Sequence, residues 1–112
     1  MIIAIDYGDA HCGLAQSVEG KFATPLNSVK TQTIFSKLKE LHPEILVVGI
    51  SEGKSKEAAE KFAKTVANML GCRVELIDET LTTIEAQKLG KNKDREHSLA
   101  AAIILERFLE NV

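Results

Sequence analysis

Tryptophan is absent from this chain of 112 residues, and aromatic residues of any kind make up 4% of it, one Tyr and four Phe. Most of these read as core positions, so recognition by stacking bases on an aromatic platform is not expected. Cysteine is scarce as well. Cys12 and Cys72 lie far apart, each beside a glycine in an apolar context, and neither has a C-x-x-C partner. They read as small buried thiols rather than a disulfide or a zinc site. No apolar run approaches the roughly 18 residues a membrane helix needs. Met1 leads straight into Ile2-Ile3-Ala4-Ile5-Asp6 without a basic region or cleavage site, so no signal peptide is expected and the cytoplasm is the expected compartment. A G-x-x-x-x-G-K-[ST] run is missing, which excludes a P-loop. Fourteen Lys and Arg against 16 Asp and Glu leave a net charge of -2. Any nucleic-acid role therefore rests on a local basic patch rather than a domain-wide field.

What is present is 45% apolar and 27% charged sequence, the balance of one globular domain over residues 1–112 with a real core. Ile2-Ile3-Ala4-Ile5 is a short apolar run ending in Asp6-Tyr7-Gly8-Asp9, the pattern of a strand buried on both faces. Cys12 to Ser17, a turn at Glu19-Gly20, and Lys21 to Thr24 read as a hairpin that Pro25 ends. Thr31 to Leu41 carries Ile34, Phe35, Leu38 and Leu41 at helical spacing and stops before Pro43. Ile45 to Ile50 reads as a central parallel strand. After Ser51-Glu52-Gly53 a helix turns Ala58, Ala59, Phe62, Val66, Met69 and Leu70 inward and closes at Gly71. Arg73 to Ile77 reads as a fifth strand, followed by a short helix from Thr82 or Thr83 to Leu89. The final helix, about Arg95 to Leu109, offers Leu99, Ala102, Ile103, Phe108 and Leu109 to the sheet. The order predicts a three-layer α/β fold, an antiparallel meander first and strands returning through helices afterwards.

Acids stand at three strand ends: Asp6 and Asp9, Glu52, and Asp78 and Glu79. Sites in open α/β sheets lie beyond the carboxyl ends of the strands. Converging carboxylates repel unless a cation lies among them, and an oxygen-rich cage suits Mg²⁺ or Mn²⁺. Metal-dependent phosphodiester hydrolysis needs such an arrangement. The same acids also serve as helix caps and turn formers, and both readings stand at this point.

Ile3-Ala4-Ile5-Asp6-Tyr7-Gly8 with Gly13, Pro25-Leu26, Val47-Val48-Gly49-Ile50, the run Asp78 to Ala86 (DETLTTIEA) and the run Ser98 to Leu105 (SLAAAIIL) together resemble the YqgF (RuvX) family. That family comprises Holliday-junction resolvase-like proteins, also described as nucleases maturing the small-subunit ribosomal RNA precursor. The resemblance runs nearly the length of the chain and implies an RNase H-like fold, a five-stranded mixed sheet of order 3-2-1-4-5 flanked by helices. It implies a nuclease using Mg²⁺ or Mn²⁺, with Asp6 as the first-strand metal ligand and the family's acidic pair after the fifth strand falling on Asp78 and Glu79, of which Glu79 is the preferred ligand and Asp78 is either a further ligand or structural.

Three departures stand out. The family's third acid heads the last helix, and here His97 takes its place in His97-Ser98-Leu99-Ala100-Ala101. His97 is either a variant ligand or proton shuttle, or a plain helix-start residue, with Glu96 and Asp94 nearby. The first loop carries Asp9-Ala10-His11 where the family has a small hydroxyl residue and basic side chains. The loop after the fourth strand is shortened to Ser51-Glu52-Gly53, and Glu52, beside the first strand, is the runner-up metal ligand to Glu79. Lys88, Lys91, Lys93 and Arg95, together with Gly8, are the expected nucleic-acid contacts. Lys54, Lys56, Lys61 and Lys64, interleaved with Glu57 and Glu60, read as a solvated helix face. The expected partner is branched DNA or precursor ribosomal RNA, with no membrane, and the expected state is a monomer or weak homodimer. The alternative function is a non-catalytic nucleic-acid-binding or ribosome-assembly module of the same fold.

Overall fold

The structure is a computed structural model that describes residues 1–8, 10–50, 54–78 and 93–110. The apolar opening forms β1 (Ile2–Asp6), followed by β2 (His11–Ser17), β3 (Thr24–Pro25) and β4 (Val29–Lys30). A single 3₁₀ turn over Thr31–Thr33 leads into α1 (Ile34–Leu41), then β5 (Ile45–Ile50), α2 (Lys54–Leu70), β6 (Arg73–Asp78) and α3 (Lys93–Glu110). The sheet runs in the order β3-β2-β1-β5-β6, with β4 paired to β2 off that path. This is the expected 3-2-1-4-5 path with one additional strand of two residues. β1 pairs antiparallel with β2 and parallel with β5, and β5 pairs parallel with β6. The meander and the helical returns are therefore both present.

Alternation along the strands divides the core in two. On one face Ile3, Ile5, Leu14, Leu46 and Val48 meet Ile34 and Leu38 of α1 and Ala59, Phe62, Ala63 and Val66 of α2. On the other, Ala4, Ala15 and Val47 meet Ala101, Ala102, Ile104 and Leu105 of α3. At its centre the second face carries the small Ala4 and Ala15, with Ile2, Ile45 and Ile77 packed at its margin.

Four expectations shift. β3 starts at Thr24 and contains Pro25, which an edge strand tolerates because its N–H side needs no partner. Lys21 and Phe22 precede it, with Phe22 80% exposed. α1 begins at Ile34 rather than Thr31, because no side chain caps the 3₁₀ turn and the Thr31 hydroxyl is engaged elsewhere. Its end is as read: His42 adopts the left-handed conformation before Pro43, its N–H bonded to the Leu38 carbonyl. In α2, Met69 is exposed and Ala63 is buried. The buried stripe follows Ala59, Ala63 and Val66, and Met69 lies about 60° round the axis from Val66. In α3, which starts at Lys93 rather than Arg95, the buried residues are Ala100, Ala101, Ala102, Ile104 and Leu105, while Leu99 and Ile103 are half-buried. That helix is apolar on most sides, so periodicity did not choose its face; the shallow row of Ala4 and Ala15 does.

Of the two cysteines, Cys12 is buried as expected, and Cys72 is half-buried. The short helix expected between Thr82 or Thr83 and Leu89 lies outside the described residues.

Candidate active site

Asp6 is the last residue of β1, the middle strand of the sheet path, and is 6% exposed. Ile2 and Ala4 belong to the α3-side core, and strand alternation sends the Asp6 side chain to that same face. Its cross-strand partners are Gly13 on β2 and Gly49 on β5. Neighbouring strands lie about 4.8 Å apart, so the carboxylate stands between two positions that carry no side chain. A glycine inside a strand weakens it and commonly marks close approach of a ligand. Here two of them flank one buried acid.

The neighbouring strand ends converge on the same edge. β5 ends at Ile50, one residue beyond Gly49, and β6 ends at Asp78, paired with Ile50. The expected approach of β5 to β1 is thus present. Glu52 and Glu79 follow these two ends and lie outside the described residues, as do Asp9, Lys88 and Lys91. Lys93, Asp94, Arg95, Glu96 and His97 fall in the first turns of α3, a helix that packs against β1 and β2. Ser98, the next residue, is buried. Among the described residues no group of three or more His, Cys, Asp or Glu forms a metal cluster. Asp6 is the one member of the expected ligand set whose side chain is described.

Gly8 sits in the loop after β1 for a steric reason internal to the chain. A Cβ there would come within 2.4 Å of the His11 carbonyl oxygen, so only glycine permits this close turn. The loop is held from outside by Thr31. The Thr31 hydroxyl donates to the Gly8 carbonyl at 2.6 Å, and the Thr31 N–H donates to the Ala10 carbonyl at 2.9 Å. Cys12 Sγ lies 3.4 Å from Thr31 Oγ1. Burial pushes the Cys12 thiol above its ordinary value of 9.0, the nearby Asp6 charge acts in the same direction, and the contacts with Thr31 and Gly8 oppose it. On the opposite face of the sheet from Asp6, Tyr7 stacks obliquely on Phe62 with ring centres 4.8 Å apart. Both line a shallow cleft of about 240 Å³ with Phe35, Thr31, Lys61 and Thr65. Lys56, Lys61 and Lys64 are exposed on α2 beside exposed Glu57, the solvated face read from the sequence.

Two features escaped the sequence reading. The sequence pattern places Gly49 inside an apolar run, although a lone glycine within Ile45–Ile50 is a visible signal. The role of Thr31 left no local signal, because its partner carbonyl is 23 residues away.

Similarity to known proteins agrees with this arrangement. Residues 1–111 match the family model described as RuvX, Holliday junction resolvase. A protein of Alcanivorax borkumensis named "Putative pre-16S rRNA nuclease" is 39% identical, the match covering 96% of this chain and 94% of that one. A protein of the same name from Mannheimia succiniciproducens is 36% identical over 96% of this chain and 93% of its own. Among solved structures, Thermus thermophilus RuvC in complex with a Holliday junction substrate superposes with a TM-score of 0.61 at 15% identity, covering 100% of this chain and 98% of that one. The fold is thus RNase H-like, of the RuvC kind. With the family model matched almost end to end and relatives matched over more than nine-tenths of both chains, the chain belongs to the RuvX family.

Proposed function

We propose that this protein is a nuclease that hydrolyses phosphodiesters in structured nucleic acid, with Asp6 at the centre of its site. The observation that carries the reading is the buried Asp6 carboxylate at the end of the central strand, between Gly13 and Gly49. Neither neighbouring strand position carries a side chain, and glycines within strands commonly mark the close approach of a ligand. The donor chemistry of Asp6, a carboxylate oxygen, fits a hard divalent ion, Mg²⁺ or Mn²⁺. Such an ion supplies charge stabilisation at the phosphoryl oxygens and an activated water.

In this reading Asp6 holds the ion from β1, with Glu79 and then Glu52 as further ligands from the segments after β6 and β5. His97, at the start of α3, takes the third acid's place as ligand or proton shuttle. Lys88, Lys91, Lys93 and Arg95, together with Gly8, contact the nucleic acid. The relatives' name favours a ribosomal RNA precursor, and the family description favours branched DNA. The work is that of a single domain, monomeric or weakly dimeric, in the cytoplasm.

The test is cleavage of a labelled panel, a four-way DNA junction, single-stranded RNA and a ribosomal-precursor fragment, with Mg²⁺, Mn²⁺ or EDTA. Metal-dependent cutting that Asp6→Asn abolishes supports the reading; equal rates in wild type and Asp6→Asn would sink it. A second reading rests on His97 standing where the family has an acid: a binding module without turnover. It predicts salt-sensitive binding by an inert wild type, and cutting that appears only in His97→Asp.

A further inference from the structure

Thr31 behaves unlike its neighbour Thr33, although both lie in the same 3₁₀ turn. Thr33 Oγ1 bonds the Lys30 carbonyl at 2.8 Å, the local bond that threonine ordinarily makes near a helix start. Thr31 makes no capping bond and reaches across 23 residues to the Gly8 carbonyl at 2.6 Å. Its N–H takes the Ala10 carbonyl at 2.9 Å. One residue thus holds two carbonyls of the loop that leaves Asp6. Cys12 Sγ, 3.4 Å from the same hydroxyl and 4.0 Å from the Gly8 carbonyl, closes the group.

The need for such a hold follows from the topology. Asp6 is paired on both sides, with Gly13 and Gly49, so the ladder sets its own backbone. The ladder stops there, and a loop at the end of a strand has no regular partners to set its direction. β4 exists to supply them: its pairing of Lys30 with His11 and Val29 with Cys12 brings Thr31 against the loop. The turn is already tight, since Gly8 approaches the His11 carbonyl too closely for any Cβ. Two anchored carbonyls, those of Gly8 and Ala10, thus tie down the turn that follows the strand end carrying Asp6.

We infer that Thr31 is a positioning residue for phosphodiester cleavage, acting through the Gly8 loop to hold the substrate phosphate in line with Asp6. The inference rests on the nuclease reading above. Misplacement of reacting groups by about 1 Å costs up to ~100-fold in rate, while in this reading most of the ground-state grip on the phosphates comes from the four basic side chains and only one contact from Gly8.

Thr31→Val keeps the shape and removes the hydroxyl, and Thr31→Ser keeps the hydroxyl. Thr31→Ala replaces the valine variant should that one fail to fold, as judged by circular dichroism. For the folded hydroxyl-less variant we expect kcat to fall about tenfold with KM within about twofold of wild type, the signature of lost transition-state positioning. Thr31→Ser should restore at least half of the wild-type kcat, and amide exchange across residues 8–12 should quicken in Thr31→Val alone. An active wild type with unchanged kcat in the folded hydroxyl-less variant overturns the positioning role and leaves the nuclease reading standing. So does a serine variant as slow as the valine one. A wild type that cuts nothing overturns both.

Discussion

The two faces of the sheet are built from the same strands and do different work. On the α1 and α2 side the inward residues are Ile3, Ile5, Leu14, Leu46 and Val48, all fully buried. Large branched side chains fill the layer, and each buries roughly 1.5–3 kcal/mol of apolar surface. On the α3 side the corresponding row is Ala4, Ala15 and Val47, and it ends in Asp6 between two glycines. The first face yields stability. The second has less side-chain volume at its centre, where α3 packs and where the buried Asp6 carboxylate sits between two glycines.

Substitutions on the two faces should therefore separate stability from activity. The largest contrast is between Asp6→Asn and Leu46→Ala. On the proposed reading, in which Asp6 holds the ion, Asp6→Asn should lower cleavage by more than about 100-fold, several kcal/mol of transition-state stabilisation, while thermal unfolding stays close to wild type. Leu46→Ala should cost about 2–5 kcal/mol of stability, with cleavage per folded molecule retained, as read by urea unfolding beside the nuclease assay. If both variants lose stability equally, the division between the faces fails.

A smaller effect is expected where the α3 side is crowded. Ala101→Leu adds volume against Ala4 and Ala15 and should cost about 1–3 kcal/mol. Because α3 carries His97 at its start, kcat should drop further than the loss of folded protein accounts for. Equal loss of both would mean that helix approach matters only for packing.

The pH dependence sharpens the comparison at the boundary between the faces. Burial, aided by the Asp6 charge, raises the Cys12 thiol above 9.0. Below pH 9 the thiol is neutral in folded and unfolded chains and takes nothing from stability. Above it, the unfolded chain releases a proton that the folded one keeps, so stability falls as pH rises. Cys12→Ala should flatten that fall in unfolding midpoints measured at increasing alkaline pH; an identical slope would assign it to other groups. The half-buried Cys72 shifts in the same direction by burial and should react first with a thiol reagent.

The smallest expected change lies at the other end of the α3 side. Ser17 is 1% exposed, and its hydroxyl has no partner among the described residues. An unsatisfied buried hydroxyl costs about 1–3 kcal/mol. Ser17→Ala should hold or raise the unfolding free energy by about 1 kcal/mol, with cleavage unchanged; a clear loss would reveal a partner.

Much of this was legible in the residues alone. The runs Ile2–Asp6 and Ile45–Ile50 announce buried strands by apolar continuity, and the ends of α1 and α2 announce themselves by Pro43 and Gly71, whose φ is +65°. Asp6 was legible as a strand-end acid. The buried face of α3 was not, because alanines and aliphatics surround that helix and its partner surface determines which side is covered. β4 was not legible either, since two residues carry no periodicity.

The succession of strands and helices along the chain and the acid at the end of the first strand were determined by the sequence itself, since local pattern and spacing encode them, while the order of the strands in the sheet was implied by the resemblance to the family. The tertiary structure alone decided that Gly13 and Gly49 stand on either side of Asp6, and that Thr31 holds the carbonyls of Gly8 and Ala10. Both depend on strand register and on contacts between residues far apart in the chain, and the energies that select them arise only when the sheet has closed.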